Sequence, residues 1–282
     1  MELKESKHEQ ETNEPERTSG IMRVVGVNPE NEEVILEYFK SVIEKGEKHS
    51  FKPEWEREKT PEEQKMISEI LKRLPNFIKK LGGNPVPIKP ENIHFLDVEK
   101  IKKEGYLKGN FERYDWSNQE VSFCPEGGRK TVEVLVHELM HFESFQSVTH
   151  SKEDSKKYQR RIGLLIYGKK DGFQDLNEAL TQELTIRFLR EYYGNPALGN
   201  IVGDQKYGSL KYMGGVELRL SEVYQFRGLL LDIYKKNLSE YDSQEDIFKI
   251  FIQGYLNGRL LPIARLIEKT YGKGSFRKLT QK

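Results

Sequence analysis

The chain has 282 residues, with 46 Lys and Arg against 45 Asp and Glu for a net charge of +1, six histidines and a single cysteine, Cys124. That length is ample for one large domain with a buried core, the balanced charge gives no general basic field for nucleic acid, and one cysteine excludes an intramolecular disulfide or a multi-cysteine zinc cluster. No apolar run reaches the roughly 20 residues of a membrane span, and the opening residues lack the apolar stretch of a secretory signal, so a cytoplasmic protein is expected.

Residues 1–20 carry almost only charged and small polar groups and read as a disordered tail. Over residues 32–45, Val34, Ile35, Tyr38, Phe39, Val42 and Ile43 recur at helical spacing. Thr60-Pro61-Glu62-Glu63 reads as an N-cap with proline in the first turn. Met66, Ile67, Ile70, Leu71 and Leu74 continue that helix, Pro75 is expected to kink or divide it, and Gly82-Gly83 stops it. Residues 21–90 are therefore expected to form an N-terminal helical region ahead of a domain spanning residues 91–282.

Beyond the turn Asn84-Pro85-Val86-Pro87, residues 93–96, 109–114 and 120–123 read as short strands, the last two joined by Asp115-Trp116-Ser117-Asn118. Residues 129–146 read as a long helix whose apolar side chains point in nearly every direction, the mark of a buried helix. Residues 161–167 followed by 168–173 suggest a hairpin closed by a glycine-bounded turn. A helix over residues 177–193 stops at Gly194-Asn195-Pro196, and further helices are expected over residues 216–234, 245–255 and 261–271. Strands in the middle and helices in the C-terminal half argue for an α+β fold.

The buried helix contains Val136-His137-Glu138-Leu139-Met140-His141. Histidines at i and i+4 project from one side of a helix, one turn apart, so both imidazoles can meet one metal ion. Glu138 between them can reach a water on that metal. Two buried histidines that only made hydrogen bonds are the plainer alternative, but unpaired polar groups inside an apolar helix cost roughly 1–3 kcal/mol each. A catalytic zinc site takes three protein ligands and an open position. The metzincin extension would need glycine at 144 and histidine at 147, where the chain has Ser144 and Ser147. Leu176-Asn177-Glu178-Ala179 offers Glu178 instead, which also stands three residues after Asp175, where it would complete a capping box and serve only the helix start.

His137-Glu138-Leu139-Met140-His141 together with Asn177-Glu178-Ala179 resembles the gluzincin metallopeptidases, the thermolysin-like class and its small single-domain members. The resemblance covers about residues 105–234. It implies a zincin-like α+β fold, in which a small mixed sheet and a buried active-site helix precede a helical C-terminal half. It further implies one Zn2+ per chain held by His137, His141 and Glu178, with Glu138 as the general base toward metal-bound water, and hydrolysis of peptide bonds in a peptide or protein substrate. A tyrosine or histidine commonly serves the oxyanion in that class. Tyr212, in Tyr212-Met213-Gly214-Gly215, and Tyr207 are the candidates, and Tyr212 is preferred because the adjacent glycines allow close approach. The chain departs from the pattern at Gln182, where the class places an acid on a zinc histidine; Glu183 stands next to it.

The strand over residues 120–123 is expected to be the sheet edge lining the cleft, where an extended peptide adds. Cys124 reads as a small buried residue, and His94 and His150 as structural or surface histidines. From another class, the rival is a non-catalytic metal-containing binding or interaction protein on the same fold, which would not need Glu138 beside the open position. A third reading is a proenzyme whose residues 21–90 cover the cleft, without a cysteine in that region to act as a thiol switch.

Overall fold

The computed structural model describes residues 23–25, 51–105, 112–116, 119–126, 128–150, 158–167, 172–192 and 219–279. The expected tail, the helix over residues 32–45, Tyr207 and Tyr212 lie outside them. The described residues form a mixed α+β fold with two small sheets, and none of their helices is long and apolar enough to cross a membrane.

Helix α1, Pro61–Lys80, opens as its sequence directs. The Thr60 hydroxyl accepts from the Glu63 amide at 3.2 Å, and the Glu63 carboxylate accepts from the Thr60 amide at 2.8 Å, a reciprocal cap that satisfies two of the helix's unpaired amides. Arg57 holds the same carboxylate through both terminal nitrogens at 2.9 and 2.6 Å. Met66, Ile67, Ile70, Leu74, Phe77 and Ile78 form the buried face. Pro75 does not divide the helix, which continues as one element to Lys80.

The first sheet has the order β2–β4–β3, with β2 Ile93–Phe95 parallel to β4 Glu120–Phe123 and β3 Glu112–Asp115 antiparallel to it. This corrects the expected edge: residues 120–123 are the central strand, fully buried and paired on both sides, and no peptide can add there. The strand facing the cleft is β3. Residues 51–57 are laced to the end of β2 by the Arg57 amide on the Phe95 carbonyl at 2.9 Å and the Asp97 amide on the Trp55 carbonyl at 2.8 Å. Phe51 and Trp55 pack there with Leu96, with Ile101 of the short helix α2, Val98–Lys103, and with Cys124.

Helix α3, Gly128–Glu143, is buried along almost its whole length. Its half-buried positions are Lys130, Val134, His137 and His141, spaced four, three and four apart. That spacing is a single helical stripe, and the stripe is the wall of a cleft. The helix ends three residues before its expected end, because the Phe145 amide donates to the Tyr255 carbonyl at 2.8 Å instead of continuing the helical ladder.

Gln146 opens β5, Gln146–His150, which was not foreseen. It lies between β1, Arg23–Val25, in parallel, and β6, Tyr158–Ile162, in antiparallel pairing. The expected strand over residues 161–167 is in fact two strands, β6 and β7, Leu165–Tyr167, turning at Gly163-Leu164. The second turn has partial support in the Ile166–Gly172 bridge. Gly163 adopts φ +57, and a Cβ there would stand 2.5 Å from the Asn177 Oδ1 and 2.7 Å from the Tyr255 ring. Neighbouring Arg161 donates to the carbonyls of Gly163, Gly258 and Gly254 at 2.7, 2.9 and 2.6 Å, and burial pushes its pKa down to about 10, which leaves it charged at neutral pH.

The remaining helices are α4 Gln174–Tyr192, α5 Leu220–Lys236, α6 Gln244–Asn257, α7 Leu260–Tyr271 and α8 Ser275–Leu279. One continuous apolar core runs from Met66 of α1 through α3 and α4 to Ile267 of α7. Helix α4 is its axis, buried on every side over residues 177–186.

Gly163→Ala should destabilise the protein by about 2–4 kcal/mol in urea unfolding, through the strained φ and the collision at the Asn177 amide. A loss within experimental error would mean that the turn relaxes freely. His94 supplies a pH dependence. Burial opposes its charged form, but Glu120 and Glu56 outweigh burial and raise its pKa above 6.5. The stabilisation is complete below the unfolded-state value and is lost as pH rises through the higher folded value. His94→Gln should therefore flatten the fall in stability as pH rises above about 6.5, as read from chemical melts at several pH values.

Candidate metal centre

Helix α3 projects His137 and His141 from its cleft stripe, and α4, packed across it, projects Glu178 toward both. The Nε2 atoms of His137 and of His141 each lie 3.4 Å from Glu178 Oε2, and one ligand atom from each of the three residues lies within 4.8 Å of the others. The rings meet edge to face at 4.9 Å between centroids. A separation of 3.4 Å is long for a charge-assisted hydrogen bond, which runs about 2.7–2.9 Å. It is the edge of a tetrahedron with ligand bonds of about 2.0–2.1 Å, whose donor atoms stand about 3.3–3.4 Å apart. The donor set of two imidazoles and a carboxylate fits a zinc-type ion.

The outer ring nitrogens fix this orientation. His137 Nδ1 is 2.8 Å from the Gln182 Oε1, one turn along α4 from Glu178. With the amide oxygen accepting, Nδ1 carries the proton and Nε2 presents its lone pair to the centre. Gln182 thus takes the place where the sequence pattern suggested a carboxylate, as a neutral acceptor. Glu183 is turned away, bound by Arg187 at 2.9 Å and Arg227 at 2.8 Å. His141 Nδ1 stands 3.5 Å from Thr181 Oγ1. The Thr181 hydroxyl lies 2.8 Å from the Asn177 carbonyl and 2.8 Å from the hydroxyl of Tyr255, which itself lies 2.9 Å from the Met140 carbonyl.

Glu178 has only 8% of its surface exposed. Burial would raise its pKa, but His141 and His137 outweigh burial and hold the carboxyl far below the usual carboxylate range. Burial likewise pulls the His141 pKa down, and Glu178 and then Glu138 more than reverse it. Both shifts have one cause, the closeness of the Glu178 carboxylate to the two rings. The capping-box role for Glu178 fails, because α4 begins at Gln174 and Asp175 lies inside the helix rather than capping it.

The cleft at this centre has a volume of about 270 Å³. Glu138, 7% exposed, lines it beside the ligand atoms. Sequence reasoning did not find Arg219, whose Nη1 lies 3.2 Å from the same Glu178 oxygen that faces both histidines. It stands at the N-terminal boundary of α5, where no local pattern marks it. His94 lies apart from the centre between Glu56 and Glu120, as a structural histidine does, and His150 contributes only its backbone, in β5, to the described structure. Comparison with protein-family models, with curated proteins and with solved structures finds no match.

Gln182→Ala should weaken Zn2+ binding about 10–100-fold in competition titrations with a coloured chelator. Gln182→Glu, which supplies a charged acceptor, should bind at least as tightly as the wild type. Unchanged affinity in Gln182→Ala would show that the His137 ring is oriented by something else.

Proposed function

We propose that the protein is a zinc-dependent peptidase of zincin-like, gluzincin type, hydrolysing a peptide bond in the cleft between β3, α3 and α4. The single observation that carries the reading is the convergence of His137, His141 and Glu178, each histidine 3.4 Å from one Glu178 oxygen and all three ligand atoms within 4.8 Å of one another, with Glu138 lining the same cleft. Zinc bound there supplies Lewis-acid polarisation of a carbonyl and acidifies water toward neutral pH. Glu138 takes the proton of the attacking water and delivers it to the leaving amine. His137, His141 and Glu178 hold the ligand geometry, and Gln182 and Thr181 keep the two rings in the required orientation.

Strand β3 is the edge of its sheet among the described residues, and its Arg113 and Tyr114 line the cleft. An extended peptide lying along it would be presented to Glu138. Tyr212, with Tyr207 as its alternative, retains the proposed role of oxyanion donor, and both fall outside the described residues. The rival reading, a non-catalytic metal-containing interaction protein, leaves the buried Glu138 at the cleft without a task.

Purified protein should carry about one zinc per chain by elemental analysis, and Glu178→Ala should lose it. Glu138→Gln should keep the metal while peptide cleavage falls by at least about 100-fold. Full zinc content in Glu178→Ala would sink the ligand assignment. Cleavage surviving in Glu138→Gln would remove the general base. A zinc-loaded wild type that cleaves nothing in a broad peptide library would favour the interaction-protein reading.

A further inference from the structure

The net charge of the cleft depends on the metal centre. Arg113 of β3, Lys130 of α3 and Arg219 beside α5 all line the cleft, together with the carboxylates Glu133, Glu138 and Glu178. The lining thus balances at three cations against three carboxylates, and a divalent ion held by Glu178 and the two histidines would leave the cleft positive. Lys130 is paired with Glu126 at 2.5 Å, so the argument falls mainly on the two arginines. The Arg113 side chain is 58% exposed, and the Asp115 carboxylate stands 3.7 Å from it, beyond hydrogen-bond reach. Arg219 Nη1 lies 3.2 Å from Glu178 Oε2, and the residue lines the same cleft.

The lining also includes the apolar side chains of Val134, Ile162 and Leu165 and the ring of Tyr167. Behind Tyr167 a further cation adds to the field. Arg160 is stacked 3.7 Å from the Tyr167 ring and 4.3 Å from that of Trp116. A concave wall of low dielectric concentrates such a field on whatever enters. Arginines read carboxylates through paired donors, while a lysine or arginine of the ligand would meet like charge.

We propose that the cleft selects acidic peptide: a segment with Asp or Glu flanking an apolar or aromatic residue, the carboxylates met by Arg113 and Arg219. This rests on the metal-centre reading, because an ion that takes over the balancing of Glu178 is what frees Arg219 for a ligand. It adds a substrate class to that reading.

The test uses the full chain carrying Glu138→Gln, loaded with one equivalent of zinc and its content verified, so that peptide binds without being cleaved, and two blocked heptapeptides identical except for Glu or Lys on either side of a central Phe. Calorimetric titration at low salt should show the Glu peptide binding about tenfold more tightly than the Lys peptide. The preference should shrink in Arg113→Gln and in Arg219→Gln. It should also shrink as salt rises from about 0.05 to 0.5 M. Equal binding, or a preference for Lys, in protein that holds its zinc overturns the inference and leaves the metal centre standing. Protein that holds no zinc and shows no preference overturns both.

Discussion

The structure is organised around one buried carboxylate. Glu178 sits in the second turn of α4, which is buried on every side over residues 177–186, and an uncompensated charge there would cost several kcal/mol. Its compensation comes from two imidazoles on another helix and a guanidinium on a third, all directed at the same oxygen. That convergence requires α3, α4 and the start of α5 to be held in one relative position, and much of the polar content of the core serves this end.

The polar residues of α4 show how the position is held. Asn177 accepts the Leu164 amide at 2.9 Å and so fixes the β6–β7 turn against the start of α4. Thr181 links α4 to α6 through Tyr255, which in turn reaches the α3 carbonyl of Met140. Gln182 holds His137, and Glu183 anchors α5 through Arg227. Arg187 extends the same network to Glu245 of α6 at 2.7 Å. Each turn of α4 therefore spends its polar side chain on a different neighbour, and the sum is a frame in which the proposed metal ligands would need little reorganisation. Partly satisfied polar networks are destabilising, so such a frame gives this core one arrangement rather than several.

The catalytic candidates were legible because local periodicity carries them. The i, i+4 spacing of His137 and His141 is a property of one helix, and so is the burial of that helix, whose single half-buried stripe turned out to be the cleft wall. Glu178 was legible as a donor type, though only packing could choose between helix cap and ligand. What escaped the sequence depends on contacts between distant segments. Arg219 enters the centre from a helix boundary with no pattern of its own. Gln182 looked like a defect in the motif until its amide was seen on His137. The early end of α3 and the new strand β5 follow from a backbone bond to Tyr255, more than one hundred residues away in sequence. The edge of the first sheet was misassigned because strand order depends on which neighbours pair, and β2 and β3 enclose β4 from both sides. The Gly163 turn was hidden inside an apolar run that reads as one continuous strand.

The central claim is that His137, His141 and Glu178 together bind one metal ion, and cobalt tests it most directly because its visible spectrum reports the ligand geometry. Titration with Co2+ should develop strong absorption bands of a four-coordinate ion, saturating at one equivalent, reversed by Zn2+, and lost in His141→Ala. Weak six-coordinate bands that do not saturate, or a spectrum unchanged in His141→Ala, would contradict the account.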